Sequence, residues 1–182
     1  MLGVLEVPVP ALLAAARRAT GLVALNLAPA MKVPDELLAE ADLLVVNETE
    51  AAFYGASLHA PGRLVAISLG ADGAELWKGG TRVASAKPPK VRVVDTVGAG
   101  DTFFAALSTA LIEGMDETAA LTFAVTAGAL TCTGHARESA TGLERASERR
   151  RGPAAPSGTR TAANAAAQFS AGDRDPDTAS GE

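Results

Sequence analysis

From residue 2 to residue 133, short apolar runs alternate with stretches in which apolar positions return every three or four residues. Residues 2–7 and 22–27 have the length of buried strands, and between them Pro10 opens a helical stretch through Arg18 that Gly21 closes. Pro34-Asp35-Glu36 starts a short helix to Ala41, and residues 42–46 form a third apolar run. Strand, helix, strand in this rhythm predicts a parallel sheet with helices on its faces. Residues 63–69 predict a fourth strand, followed by a hairpin of 74–78 and 81–86 around Gly79-Gly80. Between Gly55 and Arg63 there is no room for the helix expected before a parallel strand, which would leave part of one sheet face bare.

The pattern then changes period. Lys87-Pro88-Pro89-Lys90 reads as a stiff exposed link into a further strand that ends at Val93-Val94. Small residues turn the chain, and Phe103, Phe104, Ala106, Leu107, Ala110 and Leu111 recur at helical spacing until Gly114. Asp116-Glu117 start a second helix through Thr131, whose Leu121, Phe123, Val125, Ala129 and Leu130 include a core-facing stripe.

Composition fits this outline. The chain has 182 residues, 48% hydrophobic and 4% aromatic, enough for one Ala/Leu/Val-rich core. A formal charge of −5 gives no reason to expect nucleic acid or an anionic membrane as partner. Cys132 has no second cysteine to pair with, which fits a reducing cytoplasm, and it reads as a small buried apolar residue. Glu6, Pro8 and Pro10 interrupt the apolar start and no basic segment precedes it, so no signal peptide is expected. No run reaches membrane-spanning length. Beyond Gly134 the only large apolar residues are Leu143 and Phe169, so residues 134–182 are expected to be a disordered tail. Its Arg149-Arg150-Arg151 cluster reads as solvated rather than as a nucleic-acid contact.

Candidate chemistry concentrates where the glycine-rich turn meets a helix. A helix start offers unpaired N–H groups and the positive end of the macrodipole, and Gly98 and Gly100 carry no side chain to keep an anion away. Asp101 at the same place suits a base that takes a hydroxyl proton while nearby amides stabilise a transferring phosphoryl group. A tight turn with Asp101 as a plain N-cap is the structural alternative. Asn47 with Glu50 three residues on is a capping box, and the same pair could orient Mg²⁺-bound phosphates at a strand's carboxyl end. Glu6 could be a solvated strand end or a contact to a polar ligand. Trp77 reads as hairpin packing.

The run Asp95-Thr96-Val97-Gly98-Ala99-Gly100-Asp101-Thr102-Phe103 resembles the carboxy-terminal signature of the ribokinase-like (PfkB) carbohydrate kinases. The resemblance implies Asp101 as catalytic base and the amides of Gly98, Ala99 and Gly100 as anion hole. It implies that oxygens of Asp95, Val97, Thr131 and Gly134 hold a monovalent cation such as K⁺. Asn47-x-x-Glu50 resembles the family motif that serves Mg²⁺, through water, and the nucleotide phosphates. Ser68-Leu69-Gly70-Ala71-Asp72-Gly73 resembles the loop whose backbone lies along ATP, and Val125 matches a position bordering adenine, though core packing also explains it. Leu5-Glu6-x-Pro8 resembles the strand whose Glu contacts the sugar, and Asn26-Leu27-Ala28-Pro29-Ala30 resembles a ribokinase Asn-Pro-Ala-Pro-Ala loop with Leu27 replacing the first Pro.

The implied fold is a three-layer αβα arrangement with a mainly parallel sheet, partial, over residues 1–133. The family's amino-terminal half, with its Gly-Gly sugar motif and lid, has no counterpart in the sequence. Family dimers use that lid, so a homodimer is expected only of the complete enzyme. The expectation is the nucleotide-binding, catalytic-base half of a cytoplasmic ATP-dependent sugar kinase, with ribose as first substrate and little turnover from this chain alone. A fructokinase or nucleoside kinase of the same family is the nearest alternative, and a non-catalytic nucleotide-binding protein is the rival from another class.

Overall fold

The computed structural model describes residues 1–133, and the expected tail at 134–182 lies outside them. Its elements are β1 (Leu2–Val4), α1 (Val9–Ala16), β2 (Ala24–Asn26), α2 (Asp35–Ala39), β3 (Leu43–Asn47), α3 (Glu48–Tyr54), β4 (Leu64–Ser68), β5 (Ala74–Lys78), β6 (Thr81–Ala86), α4 (Ala99–Ile112) and α5 (Glu117–Thr131). The six strands lie side by side in chain order, β1 to β4 parallel and β5 and β6 antiparallel. Right-handed crossovers between strands added in one direction place their helices on one face. That face carries α1 and α2 over Leu25, Leu27, Leu44, Val46 and Val65. The opposite face would be open to water without α4 and α5, whose Phe103, Phe104, Leu107, Leu121 and Ala124 pack on Leu43, Val45, Ala66 and Leu76. Leu25, Leu43, Leu44, Leu76, Leu107 and Leu121 are fully buried, each contributing about 2 kcal/mol of transfer free energy.

Three expectations are corrected. The first strand stops at Val4, because the chain turns with Val7 N–H on Val4 carbonyl, so Glu6 sits exposed past the strand. The strand expected to end at Val93-Val94 does not form. The amides of Val94 and Asp95 instead donate to the carbonyl of Cys132 at 2.8 and 3.2 Å. The crossover before β4 starts at Glu48, earlier than the gap after Gly55 suggested: α3 runs directly off β3 and continues as a 3-10 turn over Gly55–Leu58. Leu58 and Val65 are fully buried, so β4 is covered, while Val83 on the outer strand stays 41% exposed.

One buried cation secures this connection. Arg63, 8% exposed, donates from Nε to Ala41 carbonyl (3.2 Å) and from Nη1 to the carbonyls of Ser57 (3.3 Å) and Leu58 (3.2 Å), and Nη2 donates to Leu38. The guanidinium thus caps carbonyls at the end of α2 and of the 3-10 turn, as a cation at a helix carboxyl end should. Burial pushes its pKa below the usual arginine value.

Candidate active site

α4 begins where the sequence placed its glycines. Gly98 is the N-cap at φ +80°, a left-handed conformation that glycine adopts without penalty, and Ala99, Gly100 and Asp101 form the first turn. Ala99 N–H turns back to Thr96 carbonyl at 3.2 Å, and Thr102 N–H closes the first helical bond on Gly98 carbonyl at 2.9 Å. Among the described residues the amides of Gly100 and Asp101 reach no protein acceptor, as expected of a helix start. Two donors and the helix dipole are therefore left to an anion.

The loop is moored from behind. Asp95 Oδ1 accepts from Val97 N–H at 3.0 Å, Cys132 carbonyl receives Val94 and Asp95, and the hydroxyls of Thr131 and Thr102 meet at 3.1 Å. Gly128 lets α5 come close, since a Cβ there would lie 3.2 Å from Ala99 carbonyl. These contacts fix α4's first turn against the end of α5.

Two cavities adjoin that turn. The larger, about 460 Å³, is bounded by Ser68, Gly70, Ala71 and Gly73 on one side, Pro88, Pro89, Lys90, Val91 and Val93 on another, and Thr96, Ala99, Gly100, Phe103, Val125, Gly128, Ala129 and Cys132 from the helices. The smaller, about 150 Å³, is bounded by Val4, Glu6, Asn26, Ala28, Pro29 and Asp101. Gly100 faces the first and Asp101 the second, although they are consecutive.

Of the residues singled out from the sequence, Ser68, Gly70, Ala71, Gly73, Ala99, Gly100 and Val125 meet around the larger space, and Glu6 and Asp101 around the smaller. Gly73, at φ +100°, could be nothing else: a Cβ would lie 2.0 Å from Ala86 carbonyl oxygen. Leu69 and Asp72 shape the same loop without bordering the cavity, through Leu69 N–H to Gly73 carbonyl (2.8 Å) and Asp72 N–H to Leu69 carbonyl (3.0 Å). Asn47 and Glu50 form a full capping box on α3, with Glu50 N–H to Asn47 Oδ1 at 2.9 Å and Asn47 N–H to Glu50 Oε2 at 2.8 Å. They border neither cavity, but Asn47 is paired in register with Ser68, which does. Gly98, Asp95 and Val97 shape the turn, Thr131 braces it, and Gly134 lies outside the described residues. Among the described residues no group of three or more His, Cys, Asp or Glu could hold a metal ion, and no helix is long and apolar enough to cross a membrane.

Sequence reading missed Gly128, Thr102, and the wall from Pro88 to Val93. A glycine inside a helix costs about 1 kcal/mol against alanine, so Gly128 did carry a signal of close approach. The wall carried none, because its position depends on where the hairpin ends in space.

Such a sheet, with its two cavities divided by a glycine-capped helix start, defines an α/β protein of the ribokinase-like class. Residues 3–141 match the family described as pfkB family carbohydrate kinase, and the chain belongs to that family. The match runs past Thr133 into the undescribed residues. Similar curated proteins include the ribokinase of Staphylococcus aureus, 34% identical over 152 residues (72% of this chain, 49% of the relative), and that of Bacillus subtilis, 39% over 115 residues (59% and 39%). Among solved structures, Thermotoga maritima ribokinase superposes with TM-score 0.63 at 31% identity, covering 72% of this chain and 49% of the other. Arabidopsis thaliana ribokinase complexed with ribose and ATP gives 0.63 at 30%, covering 72% and 48%. The chain spans less than half the length of each of these proteins.

Proposed function

We propose that residues 1–133 are the nucleotide-binding and catalytic-base part of a kinase that phosphorylates a sugar hydroxymethyl group, ribose being the first candidate. The carrying observation is that Gly100 and Asp101, adjacent in one helical turn, border different cavities. A donor nucleotide in the larger space and an alcohol in the smaller would meet across that turn, which suits in-line transfer.

The residues fit ATP by shape and by donors. Glycines at 70, 73, 100 and 128 let backbone approach the nucleotide, Val125 supplies an apolar border for adenine, and the Gly100 and Asp101 amides answer a terminal phosphate. Asp101, exposed on the first turn, accepts the alcohol proton, while the amides hold the charge that develops on the transferring group. Glu6 and Asn26, which border the same space, would hold other hydroxyls of the acceptor. For Mg²⁺, Glu50 keeps Oε1 uncommitted beside Asn47 and would act through water; the ion, when bound, neutralises phosphate charge. A monovalent cation such as K⁺ would draw on carbonyl oxygens near Asp95, Val97 and Thr131, beside the mooring of the loop.

Titration of the full chain with ATP and Mg²⁺ by calorimetry tests this reading. Saturable binding that is lost in Gly100→Val supports it, and absence of binding by a folded chain overturns it. Because the chain spans less than half of its relatives' length, a second reading is a nucleotide-binding protein without turnover. ATP binding with no ribose-dependent ADP release would identify that case.

A further inference from the structure

The larger cavity has one charged residue among the described residues that border it, Lys90. No acid stands on its walls, and Lys90 takes part in none of the ion pairs formed among the described residues, which are Arg17–Glu40, Lys78–Glu117 and Arg82–Glu75. The residue follows Pro88 and Pro89, which also border the cavity. Two prolines fix φ and offer no N–H, so the backbone carrying Lys90 is held in an extended, stiff path along the wall. A lysine held this way offers its ammonium on a flexible stem while its backbone loses little further freedom.

We infer that Lys90 is a nucleotide-specificity residue: its Nζ binds the non-transferred phosphates of the nucleotide, and so selects a phosphorylated nucleotide over the free nucleoside. This rests on the nucleotide reading of the cavity given above. The two free amides at Gly100 and Asp101 can serve one terminal phosphate, and the wall residues Ser68, Thr96 and Cys132 bring polarity but no charge. A nucleoside triphosphate brings several negative charges, and the cavity answers them with this one cation. A charge-assisted hydrogen bond to phosphate at a partly exposed site corresponds to roughly tenfold in affinity.

The test compares wild type with Lys90→Gln and Lys90→Arg, titrating the full chain with ATP, ADP and adenosine at two salt concentrations. Lys90→Gln should weaken ATP and ADP by roughly tenfold and leave adenosine within about twofold, with a shallower salt dependence for ATP, and Lys90→Arg should restore most of the affinity. Equal loss for adenosine and ATP would mean that the side chain only packs, and would overturn the inference. Unchanged ATP affinity in Lys90→Gln, with wild type binding normally, would overturn it too while leaving the nucleotide reading intact. If wild type binds none of the three ligands, the nucleotide reading itself falls and this inference with it.

Discussion

The two cavities beside α4 differ in how they are built. The larger draws its walls from the end of β4 and the turn after it, the linker behind the hairpin and the two last helices, and its surface is mostly apolar or glycine. The smaller is a space of about 150 Å³ between the ends of β1 and β2 and the start of α4, and half of its border is Glu6, Asn26 and Asp101. Apolar walls with exposed backbone suit a flat ring and a polyanion, whereas converging carboxylates and an amide suit a hydroxylated acceptor. What separates the two chemistries is a single peptide link, from Gly100 to Asp101.

The largest test of that division is Asp101→Asn. Removing the base should lower any ribose-dependent ADP release by about 10³-fold while ATP affinity stays within about twofold, read by coupled assay and calorimetry. Comparable loss of ATP binding would break the division, since the Asp101 side chain would then serve both spaces.

Next comes Gly73→Ala, aimed at the larger cavity. Positive φ and a Cβ 2.0 Å from Ala86 carbonyl oxygen force the hairpin away from its loop. The expected cost is about 3 kcal/mol of stability, seen as a lower urea midpoint, together with lost ATP binding. Unchanged affinity would show that the loop does not line the nucleotide.

Arg63→Met should have a smaller effect, about 2 kcal/mol in chemical denaturation, because carbonyls of Leu38, Ala41, Ser57 and Leu58 lose their donor. Arg63 borders neither cavity, so ATP affinity of the folded variant should not change. A change there would mean that the α2 and α3 side of the sheet shapes the site as well.

How much of this was visible beforehand varies by element. The turn at Gly98 to Asp101 was legible because helix starts are local: small residues, a capping geometry and the first apolar repeat lie within one stretch. The Asn47 and Glu50 box was legible for the same reason, and its structural role is what the hydrogen bonds display. The strand expected at Val93-Val94 failed because β-branched residues make a strand only beside another strand, and here the nearest partner for the amides is the end of α5. Arg63 could not be read as a cap, since its acceptors lie 5 to 25 residues away in sequence.

By itself the sequence determined the period of most segments and the glycine-capped loop that opens α4, because these depend on neighbours within a few residues. Only the tertiary structure decided that Lys90 stands on the wall of the same space as Val125, and that Gly100 and Asp101 look into different ones. The reason is geometric: a helix turns its side chains by about 100° per residue, so consecutive positions are assigned to opposite surroundings only when the helix is docked on its sheet.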